Sequence, residues 1–490
     1  MSEDICYLTG VELLDAYRAK RLSPVEVTKA VLARIDGLNP QLNAFCHRDD
    51  AAALKAAAES EARWQRGEPA GLLDGVPTSI KDLLLTKGWP TMRGSKTVDR
   101  WQKWEEDAPC VARLREQNAI LIGKTTTPEL GWKGVTDNPL TGVTRNPWNV
   151  ALTPGGSSGG ASAAVAAGLG PLAIGTDGGG SIRMPCGFTG LAGLKPTFGR
   201  VPAYPASYFG TLAHVGPMTR TVADSALLMS AIARPDARDP LQLPPDVRDF
   251  GEGLDDGIAG LRVAYSPDLG FARVDAEVAA LCAAAARVFA EELGARLEEA
   301  APGFDNPQET FRTLWYGSAA AMFRSITAQK RRQADPGLLA IVEEGERLSA
   351  ADFVIAERER ASLGILMARF HERFDILVTP QLPITAFTAG QEVPDGWWSD
   401  RWFTWSPFTY PFNLTRQPAA SVPCGFTGAG LPVNLQIVGP LGADALVLRA
   451  ARAFERARPQ HHRRPPLQMP PPKAPAQPVT KETVAPASAS

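Results

Sequence analysis

Histidine and cysteine are scarce in this chain of 490 residues, five and six respectively, and neither occurs at a chemically suggestive spacing. Cys6, Cys46, Cys110, Cys186, Cys282 and Cys424 include no CxxC pair, so they read as reduced thiols of a cytoplasmic protein, mostly packed as small apolar groups. His47, His214, His371, His461 and His462 form no HxH or HxxxH pattern, and no metal is expected. Long apolar runs are missing too. The best candidate, 278 to 290, is short and holds Arg287, well below the roughly 18 residues of a membrane span. Met1 to Gly10 has neither the basic nor the apolar part of a signal peptide. Neither sign of charge dominates: 51 basic residues face 53 acidic ones, for a net charge of −2. The nearest thing to a basic run is Arg463–Arg464, so neither nucleic acid nor a membrane is an expected partner.

What remains is a large globular chain, 44% apolar and 21% charged. The N-terminal part is helical: Ser23-Pro24 caps a segment with apolar residues at helical spacing up to Pro40, and 51 to 65 forms a second helix. Short apolar runs at 119–123, 172–175, 376–378 and 435–438 then alternate with helical segments, the pattern of an α/β protein with helices covering a mixed central sheet. A charged helical stretch, 275–370, reads as an insertion capping one side. A single domain is expected over 1–465. Beyond it, 466–490 is rich in Pro and Ala and lacks the large apolar residues needed to pack, so it reads as a disordered tail.

Two glycine-serine clusters stand out: Gly155-Gly156-Ser157-Ser158-Gly159-Gly160 and Gly178-Gly179-Gly180-Ser181. Ordering glycine costs backbone entropy, so such clusters mark sharp bends or close backbone approach. Apolar flanks argue against linkers. Neither GxxxxGK[ST] nor GxGxxG is present, which argues against a nucleotide cofactor. A serine after three glycines suits nucleophilic catalysis, because unencumbered N–H groups can converge on a developing oxyanion. Serine needs a base. His214 sits in what reads as packed chain with no acidic orienter. Lys81, in Gly75-Val76-Pro77-Thr78-Ser79-Ile80-Lys81-Asp82, is the alternative, since Ser–Lys arrangements occur.

These segments, together with Gly123-Lys124-Thr125, Pro128-Glu129, Arg145-Asn146-Pro147-Trp148-Asn149, Gly193-Leu194-Lys195-Pro196-Thr197 and Pro411-Phe412-Asn413-Leu414, closely resemble the amidase signature family over nearly the whole chain to about residue 458. Ser157 and Ser181 are 24 positions apart, as that pattern requires. The resemblance implies the family's fold and a Ser–cis-Ser–Lys triad: Ser181 as nucleophile, Ser157 as the bridging serine on a cis peptide, Lys81 as base. It implies an oxyanion hole from the backbone N–H groups of Gly178, Gly179, Gly180 and Ser181. Asp177, Arg183 and Ser158 would fix the loop around the triad, and Gly131 and Trp132 would line the substrate cavity. No cofactor is implied. Lys81 must be neutral to act, so burial has to bring its pKa from about 10.4 toward about 7–8.

Two other functions are weighed. The family also includes the A subunit of a glutamine-dependent tRNA amidotransferase, which would need an acidic residue just before Pro411, where this chain has Ser406, Pro407 and Phe408. A catalytically silent binding module would not be expected to keep all three triad positions. The expected partner is therefore a small-molecule amide. The aromatic run Trp397, Trp398, Trp402, Phe403, Trp405, Phe408 and Tyr410 reads either as core or homodimer interface, or as a pocket wall. In the second case Trp402 and Trp405 would join Trp132 against aryl or bulky apolar amides, anilides or carbamates.

Overall fold

The computed structural model describes residues 2–468. Eleven strands form one sheet, in the spatial order Phe45–His47, Ile120–Thr125, Pro77–Lys81, Leu172–Asp177, His214–Thr219, Ala192–Lys195, Ala419–Phe426, Pro432–Val438, Ile376–Pro380, Arg262–Tyr265 and Arg296–Glu299. The sheet is mixed. Pro77–Lys81 runs parallel to both of its neighbours, and Arg262–Tyr265 to both of its own. The strands between these two groups pair antiparallel. Central strands are buried along their whole length, since helices cover both faces, which is why they read as short apolar runs without alternation.

The first long helix, Pro24–Leu42, starts with the expected Ser23 capping box but continues through Pro40. It ends where Asn43 adopts a left-handed conformation (φ 51°) and donates its N–H to Asn39 C=O. Asn tolerates that conformation, so it, not the proline, sets the boundary. The helical stretch beginning near 275 also divides differently from the expectation. Ala276–Glu291 connects Arg262–Tyr265 to Arg296–Glu299, two parallel strands, and so is a crossover belonging to the sheet. The edge strand Arg-Leu-Glu-Glu is mostly exposed and polar, which hid it among helices. The insertion proper is Gln308–Phe323, Ala328–Arg331, Pro336–Gly345 and Ala350–Arg373. It packs a second apolar core against the aromatic run, separate from the main core around the N-terminal helices and sheet. The tail reading, 466–490, lies outside the described residues except at 466–468, where Leu467 packs half-buried against the main core.

Candidate active site

Lys81 ends its strand opposite Thr125 and is fully buried. Its Nζ lies 2.7 Å from Ser157 Oγ, 2.8 Å from Ser158 Oγ and 2.8 Å from Thr176 Oγ1. Among the described residues no carboxylate hydrogen-bonds it. Burial therefore pushes the ammonium well below its ordinary pKa, opposed only by the charge of Asp177. The Gly156–Ser157 peptide is cis, and Ser158 opens the small-residue helix Gly159–Ala166. Ser158 N–H donates to Ser181 C=O at 3.2 Å, joining the two serine-bearing segments one residue from Ser157.

The loop carrying Ser181 runs from the end of strand Leu172–Asp177 into helix Arg183–Thr189. Asp177 is its organiser. Its carboxylate accepts from Gly180 N–H at 2.7 Å, Ile182 N–H at 3.2 Å, Asn413 Nδ2 at 2.9 Å, and both Nε and Nη2 of Arg183 at 3.0 Å. Burial alone would raise this carboxyl, but the Arg183 guanidinium overrides it and holds the group below the usual carboxylate range. Arg183 reaches on to Thr409 C=O, Gln436 Oε1 and Asn413 Oδ1, so it anchors the loop to the segment 409–413 and to the strand Pro432–Val438. Gly180 has φ +129° and a methyl there would meet Thr409 Cβ at 2.6 Å, so only glycine fits. Its N–H, committed to Asp177, is not available to an oxyanion. Gly178, Gly179 and Ser181 have N–H groups without partners among the described residues.

The other buried bases are occupied elsewhere. His214 Nδ1 faces Leu212 C=O at 2.7 Å and Asp177 C=O at 3.1 Å, and burial keeps the ring neutral. Lys124 Nζ bonds Leu84 C=O and Thr91 Oγ1 and pairs with Asp82. Lys195 Nζ bonds the carbonyls of Pro196 and Gln417. Among the described residues no group of three or more His, Cys, Asp or Glu side chains could hold a metal.

Gly131 (φ +76°) lies beside Ser157: a methyl on it would meet Leu83 Cδ1 at 2.7 Å and reach within 3.4 Å of Ser157 Oγ. Ring edges press on the glycine loop. A methyl on Gly179 would meet Phe311 Cζ at 2.7 Å and Trp402 Cη2 at 2.9 Å, and one on Gly178 would meet Trp315 Cζ3 at 2.9 Å. Phe311 and Trp315 come from the insertion helix Gln308–Phe323, where both are buried, and the sequence reading singles out neither. Trp315 Nε1 donates to Trp132 C=O at 3.1 Å, and its ring stacks on half-buried Phe209 with centroids 3.9 Å apart. Trp405 stands one layer back. It stacks on Phe188, meets Phe387 edge-on and gives its Nε1–H to Glu392 C=O, so its ring has no face on the loop. Trp132 packs its ring on Gly337 of the insertion, and Trp398 is 69% exposed.

The family model "Amidase" matches residues 26–448. The chain belongs to the amidase family. It is an amidohydrolase of linear amides, of α/β fold with a mixed central sheet between helices. The amidase is 41% identical to an acylamidase of Rhodococcus erythropolis over 94% of this chain and 98% of that one. It is 37% identical to the A-type component of the glutamyl-tRNA(Gln) amidotransferase of Myxococcus xanthus, over 94% and 99%. Among solved structures it is similar to a bacterial aryl acylamidase of the amidase signature family (TM-score 0.86, 32% identity, covering 92% of this chain and 96% of that one).

Proposed function

We propose that this amidase hydrolyses anilides and other bulky apolar amides or carbamates through an acyl-enzyme on Ser181. The observation that carries the reading is Lys81: a fully buried amine, 2.7 Å from the hydroxyl of Ser157 and with no hydrogen-bonded carboxylate among the described residues. Such an amine is a base at neutral pH. Lys81 takes the proton of Ser157 as Ser157 takes that of Ser181, and Ser181 Oγ attacks the amide carbon. The oxyanion faces the open N–H groups of Gly178, Gly179 and Ser181. Ser157 returns the proton to the leaving nitrogen, the C–N bond breaks, and water repeats the sequence on the ester.

Phe311, Trp315 and Trp402, with their edges against the same glycines, form the wall beside the reacting carbonyl. The structural similarity to an aryl acylamidase supports that assignment. A tRNA-amidotransferase role is less well supported: the positions ahead of Pro411 are Ser406, Pro407 and Phe408, all buried, and none offers a carboxylate to an α-ammonium. Free thiols at all six cysteines fit a cytoplasmic setting, and no helix among the described residues is long and apolar enough to cross a membrane.

The test is a hydrolysis panel of anilides, carbamates, acetamide and glutamine. An anilide should exceed acetamide in kcat/KM by at least about tenfold, which corresponds to about 1.4 kcal/mol of differential transition-state binding. Trp402→Ala and Trp315→Ala should shrink that ratio, while the exposed Trp398→Ala leaves it unchanged. Preference for glutamine, or a ratio untouched by both inner variants, would overturn the substrate class.

A further inference from the structure

The donors and acceptors around Lys81 can be counted. Ser158 Oγ lies 3.1 Å from Thr176 C=O, 3.3 Å from Thr176 N–H and 2.8 Å from Lys81 Nζ. A carbonyl only accepts and a backbone amide only donates, so the single Ser158 proton goes to Thr176 C=O and Lys81 must donate to Ser158. A neutral amine has two N–H groups and one lone pair. With one N–H committed, the other N–H and the lone pair are divided between Ser157 Oγ and Thr176 Oγ1. If the lone pair faced Thr176, Lys81 would present a hydrogen to Ser157 and could not accept its proton. The productive division has the second N–H on Thr176.

We infer that Thr176 is a positioning residue of the relay: its hydroxyl accepts the second N–H of neutral Lys81 and so turns the lone pair onto Ser157. Once Lys81 is protonated, the three oxygens of Ser157, Ser158 and Thr176 accept its three N–H groups. Thr176 is held for this by strand pairing opposite Val215 and by its own two backbone contacts to Ser158. The inference rests on the Ser181–Ser157–Lys81 reading above. Of the charged groups nearby, Asp177 alone acts appreciably on Lys81, and its carboxylate is tied to Arg183 and Asn413. Nearby, Asp82 pairs with Lys124, and His214 and Lys195 bond backbone carbonyls, none of them hydrogen-bonded to Lys81.

The test is the pH dependence of kcat/KM for an anilide in the full-length enzyme. Activity should rise with pH as Lys81 loses its proton. Thr176→Val keeps the shape but removes one acceptor of the ammonium. The ascending limb should then move to lower pH by about one to two units, because a hydrogen bond to the charged form is lost. The plateau should fall about 10- to 100-fold, since nothing holds the lone pair on Ser157. Thr176→Ser should restore both. Thr176→Ala carries the same test if the valine variant does not fold. Ser181→Ala, run alongside, should be inactive; activity there would remove the triad reading itself. An inactive Ser181→Ala with a folded Thr176 variant whose limb stays in place would overturn the inference alone.

Discussion

Ser181→Ala should abolish turnover of every amide, by about 10⁵- to 10⁶-fold in kcat, because the hydroxyl proposed to form the acyl-enzyme is lost. Lys81→Met should come close to it. Methionine fills the space but supplies no base, and it leaves the hydroxyls of Ser157 and Thr176 without the amine that organises them. Ser157→Ala should be milder, falling about 10²- to 10⁴-fold, because a water can replace a bridging hydroxyl. The ranking matters more than any single value. Members of one proton relay act as a unit, so Ser181→Ala/Lys81→Met should be no slower than Ser181→Ala alone. Turnover within tenfold of wild type in Ser181→Ala, with an unchanged melting temperature, would remove the nucleophile assignment.

Much of this site could be read in the sequence because its chemistry is local. Glycine clusters beside serine are informative in one dimension: the residues that shape the loop adjoin the one placed in it. The relation of Lys81 to that loop was not local. No spacing argument joins residues 81 and 157, and the link came from the order of motifs resembling a known family. Thr176 went unnoticed for a related reason. A threonine near the end of an apolar run looks like ordinary strand, and the role proposed for it rests on the parallel pairing that sets Ile80 beside Ile174 and so brings Lys81 to Thr176.

The substrate side was less legible. Aromatic density drew attention to Trp402 and Trp405, yet density cannot separate the ring that meets Gly179 from the one packed behind it between Phe188 and Phe387. Phe311 and Trp315 sit at i and i+4 on an amphipathic helix, where such pairs normally mean only a buried face. The wall role proposed for them comes from where the insertion docks, which depends on long-range contacts such as Trp315 Nε1 to Trp132 C=O and Lys133 bridging Asp137 and Asp335. In the sheet, the runs that were visible are those buried on both faces. Arg296–Glu299 was missed because an exposed edge strand has little apolar content to reveal it.

Asp177→Ala should destabilise the fold by about 3–5 kcal/mol, the cost of leaving one member of a buried ion pair unpaired. Both side chains are wholly inaccessible and the pair is 3.0 Å apart. Without the carboxylate, Arg183 keeps only neutral acceptors, and the N–H of Gly180 loses its partner within a loop that depends on it. Asp177→Asn is the more informative change. One amide oxygen can still serve Gly180, but the amide NH₂ then confronts the Arg183 and Ile182 donors, so stability should fall by a similar amount. The pH dependence has a definite sign. Because the Asp177 carboxyl is held below the ordinary carboxylate range, its stabilising contribution is complete above about pH 4, the unfolded value, and is lost only as pH falls through the lower folded value. Between pH 5 and 8 the gap between wild type and Asp177→Asn should therefore stay constant in thermal unfolding. Adding Arg183→Met to Asp177→Ala separates the two jobs of the pair. Removing the stranded cation should recover much of the stability, as apolar replacement of buried ion pairs often does. Activity should not return, because Gly180 remains unanchored and the N–H groups of its neighbours lose their common direction. Recovery of kcat together with stability would show that Asp177 holds the fold alone and has no part in shaping the loop.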